Sequence, residues 1–266
     1  MSGPPPRILS IAGSDSSGGA GIQADIKTIA MLGGYAMTAI TAVTAQNTLG
    51  VQHVETFSLE NFTAQLDSCL GDIGVDAIKI GMLPDAAMAE AVLNRLAALD
   101  VPVVFDPVMV ATSGSVLVES HMLAAFEKLM AHSLLVTPNL PELAALTGRE
   151  LAGDEDAIEA ALALAQRHDV RVLAKGGHGS GAEVIDRLVA PSGKIASFSH
   201  GRIDTRHTHG TGCTLSAAIA TLLGHGQPLP HAVRLGREFT RAAIAHAPGF
   251  GSGNGPLGHQ AVRTLA

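Results

Sequence analysis

The feature that most constrains this chain is an alternation. Short runs of β-branched and aliphatic residues at positions 7–12, 39–44, 76–80, 101–105, 134–137 and 170–174 are separated by longer stretches of helical period. Parallel strands cannot be joined by a tight turn; each connection needs a crossover of about a dozen residues or more, usually a helix. The alternation therefore predicts βαβ units and a mostly parallel sheet in an α/β fold. With 266 residues and no linker, repeat or low-complexity tract, we expect one domain over 1–266.

Within the helical stretches, Ile22, Ile26, Ile29 and Gly33 fall on one face, and Phe62, Leu66, Cys69 and Leu70 on another, which makes Cys69 a buried small hydrophobe. Two later runs, 182–189 and 194–199, flank Ala190-Pro191-Ser192-Gly193 and read as a hairpin. The pattern then turns helical. Leu215, Ala218, Ile219, Leu222 and Leu223 form one stripe, 232–247 makes a second helix, and the glycine-rich stretch 249–258 is a loop.

Charged residues make up only 15% of the chain against 47% hydrophobic, so much of it belongs inside layered structure. A net charge of -7 without any run of Lys or Arg leaves no footprint for nucleic acid or an anionic membrane. The two cysteines, Cys69 and Cys213, are far apart and lack metal-ligand spacing, and the first residues lack a secretory pattern; a reducing cytoplasm is the expected setting. No apolar run reaches the roughly 18 to 20 residues of a membrane-spanning helix.

In open α/β sheets ligands bind beyond the carboxyl ends of the strands, where helix N-termini offer free N–H groups. The residues in those places carry chemistry. After the first run comes Gly13-Ser14-Asp15-Ser16-Ser17-Gly18-Gly19-Ala20-Gly21, suited to close backbone approach or simply to a tight turn. His209-Gly210-Thr211-Gly212-Cys213-Thr214 leads directly into an apolar helix, so the N–H groups near Gly210, Gly212 and Cys213 should form an anion hole for a phosphoryl group in transfer. The same terminus should lower the Cys213 thiol pKa, making it a base or nucleophile; the alternative is a small residue filling a turn. His209 reads equally as polar packing or as a ligand contact.

Asp106 follows one strand and Asn139-Leu140-Pro141-Glu142 another, placing two carboxylates and an amide where Mg²⁺-ATP could be held, although Asp106 before Pro107 also fits a turn and Glu142 a helix first turn. Lys175-Gly176-Gly177-His178 puts a cation and two glycines after a further strand, suggesting nucleotide contact. Walker, zinc-protease and protein-kinase motifs are absent from the sequence, and the twelve histidines are scattered.

With these residues assembled, the sequence closely resembles the hydroxymethylpyrimidine and phosphomethylpyrimidine kinases of thiamine biosynthesis, which have the ribokinase-like fold. The resemblance is carried by residues 12–25, Ala45-Gln46-Asn47-Thr48, Lys79-Ile80-Gly81-Met82-Leu83, Asp106-Pro107-Val108-Met109, residues 137–142, Lys175-Gly176-Gly177-His178 and residues 208–214. It implies a three-layer α/β/α fold with helices on both faces of the sheet. It places an aminopyrimidine between Gly13, Asp25, Gln46, Met82 and Val108. Cys213 stands where sugar kinases of this fold carry a catalytic aspartate, and would take the substrate's proton. Gly210, Thr211 and Gly212 would form the anion hole; Lys175, Asn139 and Thr211 would contact ATP; Asp106 and Glu142 would organise Mg²⁺. The family also leads us to expect a homodimer. One departure is Thr112, where many relatives carry a lysine near the phosphates, which bears on the second phosphorylation. The competing readings are a pyridoxal kinase of the same fold, a thiol hydrolase built on Cys213 and His209, and a binding protein without chemistry.

Overall fold

A computed structural model describes residues 3–109, 122–178 and 181–262. Thr112 and the loop around it, expected near the phosphates, lie outside these residues. Among the described residues the chain forms nine strands in one sheet: β1 (Arg7–Asp15), β2 (Tyr35–Asn47), β3 (Gly50–Thr56), β4 (Ala77–Ile80), β5 (Val103–Phe105), β6 (Leu135–Val136), β7 (Arg171–Ala174), β8 (Glu183–Ala190) and β9 (Gly193–Gly201). Their order is β3-β2-β1-β4-β5-β6-β7-β8-β9. The contiguous block from β2 through β1 and β4 to β7 is parallel. β3 pairs antiparallel at one edge, and β8 and β9 extend the other edge as the expected hairpin.

Eight α-helices cover the sheet: α1 (Gly21–Met31), α2 (Leu59–Ser68), α3 (Ala86–Leu96), α4 (Leu123–Ala131), α5 (Leu140–Thr147), α6 (Asp154–His168), α7 (Thr211–Gly224) and α8 (Leu229–Ala245). Side chains alternate across a strand, and here both sets are apolar. Leu9, Ile78, Ile80, Phe105 and Val136 meet α2 to α6 in one core, whereas Ile8, Ala77, Val104 and Leu135 meet α1, α7 and α8 in the other. That double burial is what makes the architecture three-layered. None of these helices is long and apolar enough to cross a membrane.

Three readings need correction. On α1 the buried face is Ile22, Ala24, Asp25, Thr28 and Ile29, while Ile26 is 40% exposed; a charged residue takes the core position because a buried lysine faces it. β3 carries no apolar signal, since it is an exposed edge strand. The apolar stripe on α7 is a fragment of a wider surface: every residue from Thr214 to Leu222 is buried, because α7 is enclosed by the sheet, α1 and α8. Cys69, expected to be buried, is half-buried: it packs against the core just past the end of α2, and the burial it has pushes its thiol pKa up.

Candidate active site

The chain reverses its direction of travel across the sheet between β1 and β4, the switch point at which open α/β sheets leave a crevice. A cavity of about 780 Å³ opens there beyond the strand ends, and runs on beneath the β8-β9 hairpin and α8. It is lined by Gly13, Gln46, Met82, Asp106, Val108, Asn139, Glu142, Lys175 and the whole segment His209 to Cys213, so the sequence-predicted loops converge. Asp25 is the exception. It is 0% exposed and does not line the cavity; it lies behind Lys79, which does.

At the end of the cavity nearest β1 and β2, Gly13 lies under Met82, whose Cε would be 2.6 Å from a Cβ at that position. Gly210, the N-cap of α7, has φ of 86°, and a side chain there would run into the carbonyl of Gly19. The two glycine-rich loops are thereby interlocked, a backbone approach that only glycine permits. His209 sits in this contact, 5% exposed, with Nε2 2.8 Å from Asp15 Oδ2 and 3.4 Å from Gln46 Nε2. Its backbone N–H donates to the Gly255 carbonyl, so the glycine-rich stretch 249–258 braces His209 and the β2-β3 turn at Thr48.

At the other end the side chains are charged and buried. Asp106 accepts from Thr137 Oγ1 at 2.8 Å and from Lys175 Nζ at 2.8 Å. Burial alone would raise its pKa, but Lys175 and Lys79 outweigh it and hold the carboxyl below its ordinary range. Glu142 closes a capping box with Asn139 at the start of α5: each side chain accepts the other's backbone N–H. Burial pushes Glu142 up to about 7, because Lys175, at 3.9 Å, offsets only part of the cost and Asp106 adds to it. Burial works against the Lys175 ammonium too, yet Asp106 and Glu142 keep it charged.

Beneath Cys213 lies a buried ion pair, Lys79 Nζ to Asp25 Oδ2 at 2.8 Å, with Ser10 Oγ donating to the same oxygen at 2.6 Å. Asp25 overcomes the effect of burial and holds the Lys79 ammonium charged, with Cys213 and Asp106 contributing in the same direction. Only a glycine at 81 leaves room for that ammonium, 2.7 Å from where a Cβ would sit. The sequence signalled Lys79 as part of a motif and gave it no role.

The helix-terminus argument for Cys213 fails on its sign. Burial pushes the thiol up to about 11; Lys79 lowers it, Asp25 and Asp106 raise it, and the Gly21 N–H gives a small pull downward. The resting thiol is neutral. Nor is it paired with the histidine of a hydrolase: among the described residues no hydrogen bond joins the Cys213 thiol to His209, whose Nε2 faces Asp15. Among the described residues nothing accepts from the N–H groups of Gly212 and Cys213 at the first turn of α7, whereas that of Thr211 donates to the Thr208 carbonyl.

Among the described residues no group of three His, Cys, Asp or Glu side chains could cage a metal ion. Two carboxylates around Lys175, one of them with its burial incompletely compensated, match a Mg²⁺ that keeps its waters and binds through phosphates as well. The far arm of the cavity, with Asp186, Arg237 and Arg241, had no motif to reveal it: Asp186 Oδ2 meets Arg237 Nε at 2.6 Å across 51 residues of sequence.

Comparison with known proteins places this arrangement. The family described as phosphomethylpyrimidine kinase matches residues 15–258. The hydroxymethylpyrimidine/phosphomethylpyrimidine kinase of Rhizobium meliloti is 48% identical, over 94% of this chain and 96% of that protein. Among solved structures, pyridoxal kinase from Staphylococcus aureus in complex with ADP superposes with a TM-score of 0.91 at 31% identity, covering 99% of this chain and 96% of that one. Phosphomethylpyrimidine kinase from Clostridium difficile does so with a TM-score of 0.78 at 37% identity, covering 90% and 99%. The pyridoxal kinase likeness fixes the ribokinase-like fold, and the match of sequence along nearly the whole length adds what shape alone does not: this chain belongs to the phosphomethylpyrimidine kinase family.

Proposed function

We propose that the protein phosphorylates 4-amino-5-hydroxymethyl-2-methylpyrimidine with ATP, first to the monophosphate and then to the diphosphate. The observation that carries this reading is the junction of two unlike surfaces in one cavity. A ring-sized region with apolar walls at Met82 and Val108 and a carboxamide at Gln46 adjoins the unpaired N–H groups of Gly212 and Cys213 and the Lys175 ammonium.

In the proposed reaction the substrate hydroxyl oxygen bonds to the γ-phosphorus as the bond to the β-phosphate oxygen breaks, and ADP leaves. Negative charge spreads over the equatorial oxygens, where the Gly212 and Cys213 N–H groups and Lys175 stabilise it without reorganising. The hydroxyl proton goes to the Cys213 thiolate, whose charge Lys79 offsets. In a loose transition state that proton leaves late, so the base is needed only as bond formation completes. Because the resting thiol is neutral, its own proton must first be lost to solvent, and the rate should rise with pH through the neutral range. Asp106 and Glu142 would hold Mg²⁺, whose chemistry is to neutralise phosphate charge and shield the incoming oxygen from it. Thr211 and Asn139 would border the nucleotide phosphates. We further propose a cytoplasmic homodimer.

The likeness to pyridoxal kinase supports a second reading, in which the ring is a substituted pyridine. Mass spectrometry of the products formed from hydroxymethylpyrimidine and Mg²⁺-ATP resolves mono- from diphosphate, with pyridoxal in a parallel reaction. Formation of the diphosphate supports the proposal. A clear preference for pyridoxal overturns it.

A further inference from the structure

At the ring end three side chains form a relay that the phosphoryl transfer does not use. Asp15 is 3% exposed, and donors surround its carboxylate. Oδ2 accepts from the backbone N–H groups of Gly19 at 3.0 Å and Ala20 at 2.8 Å, and Oδ1 from that of Ser17 at 2.8 Å, with the Ser17 hydroxyl adding to both. Burial would raise this carboxyl, but His209, Ser17 and Ala20 outweigh it and hold it below its ordinary range. An ionised carboxylate only accepts hydrogen bonds, so the ring nitrogen 2.8 Å away, His209 Nε2, must carry a proton.

That assignment has a consequence for Gln46. Its Nε2 stands 3.4 Å from the same His209 nitrogen, and two donors facing each other make no bond. Amide oxygen and nitrogen are distinguished only by their network. Turned by half a rotation, the carboxamide places its oxygen toward the His209 N–H, and its NH₂ toward Thr44 Oγ1, which is 3.1 Å from the other terminal atom. Thr44 can then give its own proton to the Ser14 carbonyl, 3.1 Å away. Every group in the chain now has a partner of the right kind, the single His209 N–H going chiefly to Asp15 at 2.8 Å and by the longer arm of a bifurcated bond to Gln46 at 3.4 Å. The amide keeps one acceptor lone pair on its His209 side and one N–H on its Thr44 side.

We propose that Asp15 and His209 are positioning residues that fix which way the Gln46 carboxamide faces, and so determine the order of donor and acceptor that a heteroaromatic substrate must present. A ring with an amino group beside a ring nitrogen matches that pair of edges in one orientation only. The inference rests on the reading of this end as the ring site; its first test does not.

That first test is ¹⁵N NMR of histidine-labelled protein, with His209→Gln used to assign the signal. The relay requires a proton-bearing His209 Nε2 in the ligand-free protein, and a bare Nε2 there overturns it whatever the substrate. The second is a double-mutant cycle in steady-state kinetics with hydroxymethylpyrimidine. His209→Ala and Gln46→Ala should each raise KM about tenfold or more. The double variant should be no worse than Gln46→Ala, because one interaction has been removed twice. His209→Gln, which keeps an N–H near the Nε2 position, should recover most of the loss. Additive KM effects, or equal damage from His209→Gln and His209→Ala, would defeat the relay. If hydroxymethylpyrimidine is not turned over at all, the proposed function falls, and the NMR result still decides the state of His209.

Discussion

The two ends of the cavity are rigid for different reasons. Around Lys175 and Lys79 the structure is fixed by buried charge: each ammonium is held by carboxylates, and the ammoniums outweigh burial at Asp106 while they offset only part of it at Asp25 and Glu142, whose carboxyls are raised. Around Gln46 it is fixed chiefly by close backbone approach, with Gly13 under Met82 and Gly19 against His209, and its one buried carboxylate, Asp15, is held by backbone N–H groups, Ser17 and His209 rather than by a lysine or arginine. A charged network fails abruptly, because removing one member leaves another buried and unpaired. A packed one loses energy in proportion to the contact removed.

The largest effect is therefore expected where the pairing is deepest. Lys79→Met leaves Asp25, at 0% exposure, without its counter-ion, and should destabilise the protein by about 3 to 5 kcal/mol. Chemical denaturation measures this. Combining Lys79→Met with Asp25→Leu should return much of the stability, and a double variant as unstable as the single one would show that the loss was packing rather than charge.

Next comes Lys175→Met, which brings Asp106 and Glu142 together without the cation between them. Turnover should fall by about 10² to 10³, the usual loss for a group stabilising transition-state charge. A fall of less than tenfold in single-turnover experiments would remove Lys175 from the reaction. Cys213→Ala should cost about 10² in kcat while leaving pyrimidine affinity largely intact. The state of the thiol can be read separately by alkylation of the ligand-free protein. A raised pKa favours the neutral form at ordinary pH, so reactivity should climb about tenfold per pH unit and level off only near 11. A plateau below pH 8 would mean that the helix terminus outweighs burial after all.

That contrast also explains what was legible in the sequence. The loops at Gly13, Asp106, Asn139 and Lys175 were found because a parallel sheet brings strand ends to one place, and each loop is a contiguous string. The exact partners were not, since they join distant positions. Asp25 was expected beside the ring and Ile26 in the core, and only Lys79, 54 residues away, draws Asp25 into the core position instead. The thiol of Cys213 was misjudged for a related reason. A helix dipole is a local property visible in sequence, whereas burial of the thiol and its nearness to the charges of Asp25 and Asp106 depend on the fold. β3 went unseen because an exposed edge strand lacks the apolar alternation by which strands are read.

Gln46→Ala should weaken pyrimidine binding by about 1 to 3 kcal/mol, which calorimetry with the protein and the ring substrate in the absence of ATP will show; unchanged affinity would refute the contact.

The smallest effect is expected at Gly13→Ala, and it tests the comparison most directly. The new methyl would lie 2.6 Å from Met82 Cε, too close to keep, but that atom is the end of a flexible, unbranched side chain, and the next neighbour is 3.7 Å away. Met82 can therefore swing aside, at a cost below about 1 kcal/mol. What it cannot do is move without changing the wall of the ring site. Stability and kcat should stay close to those of the parent protein, while KM for the pyrimidine shifts a few-fold and KM for ATP does not. If kcat fell as steeply as in Lys175→Met, the ring end would be coupled to the charged end, and the two could no longer be treated as separately built.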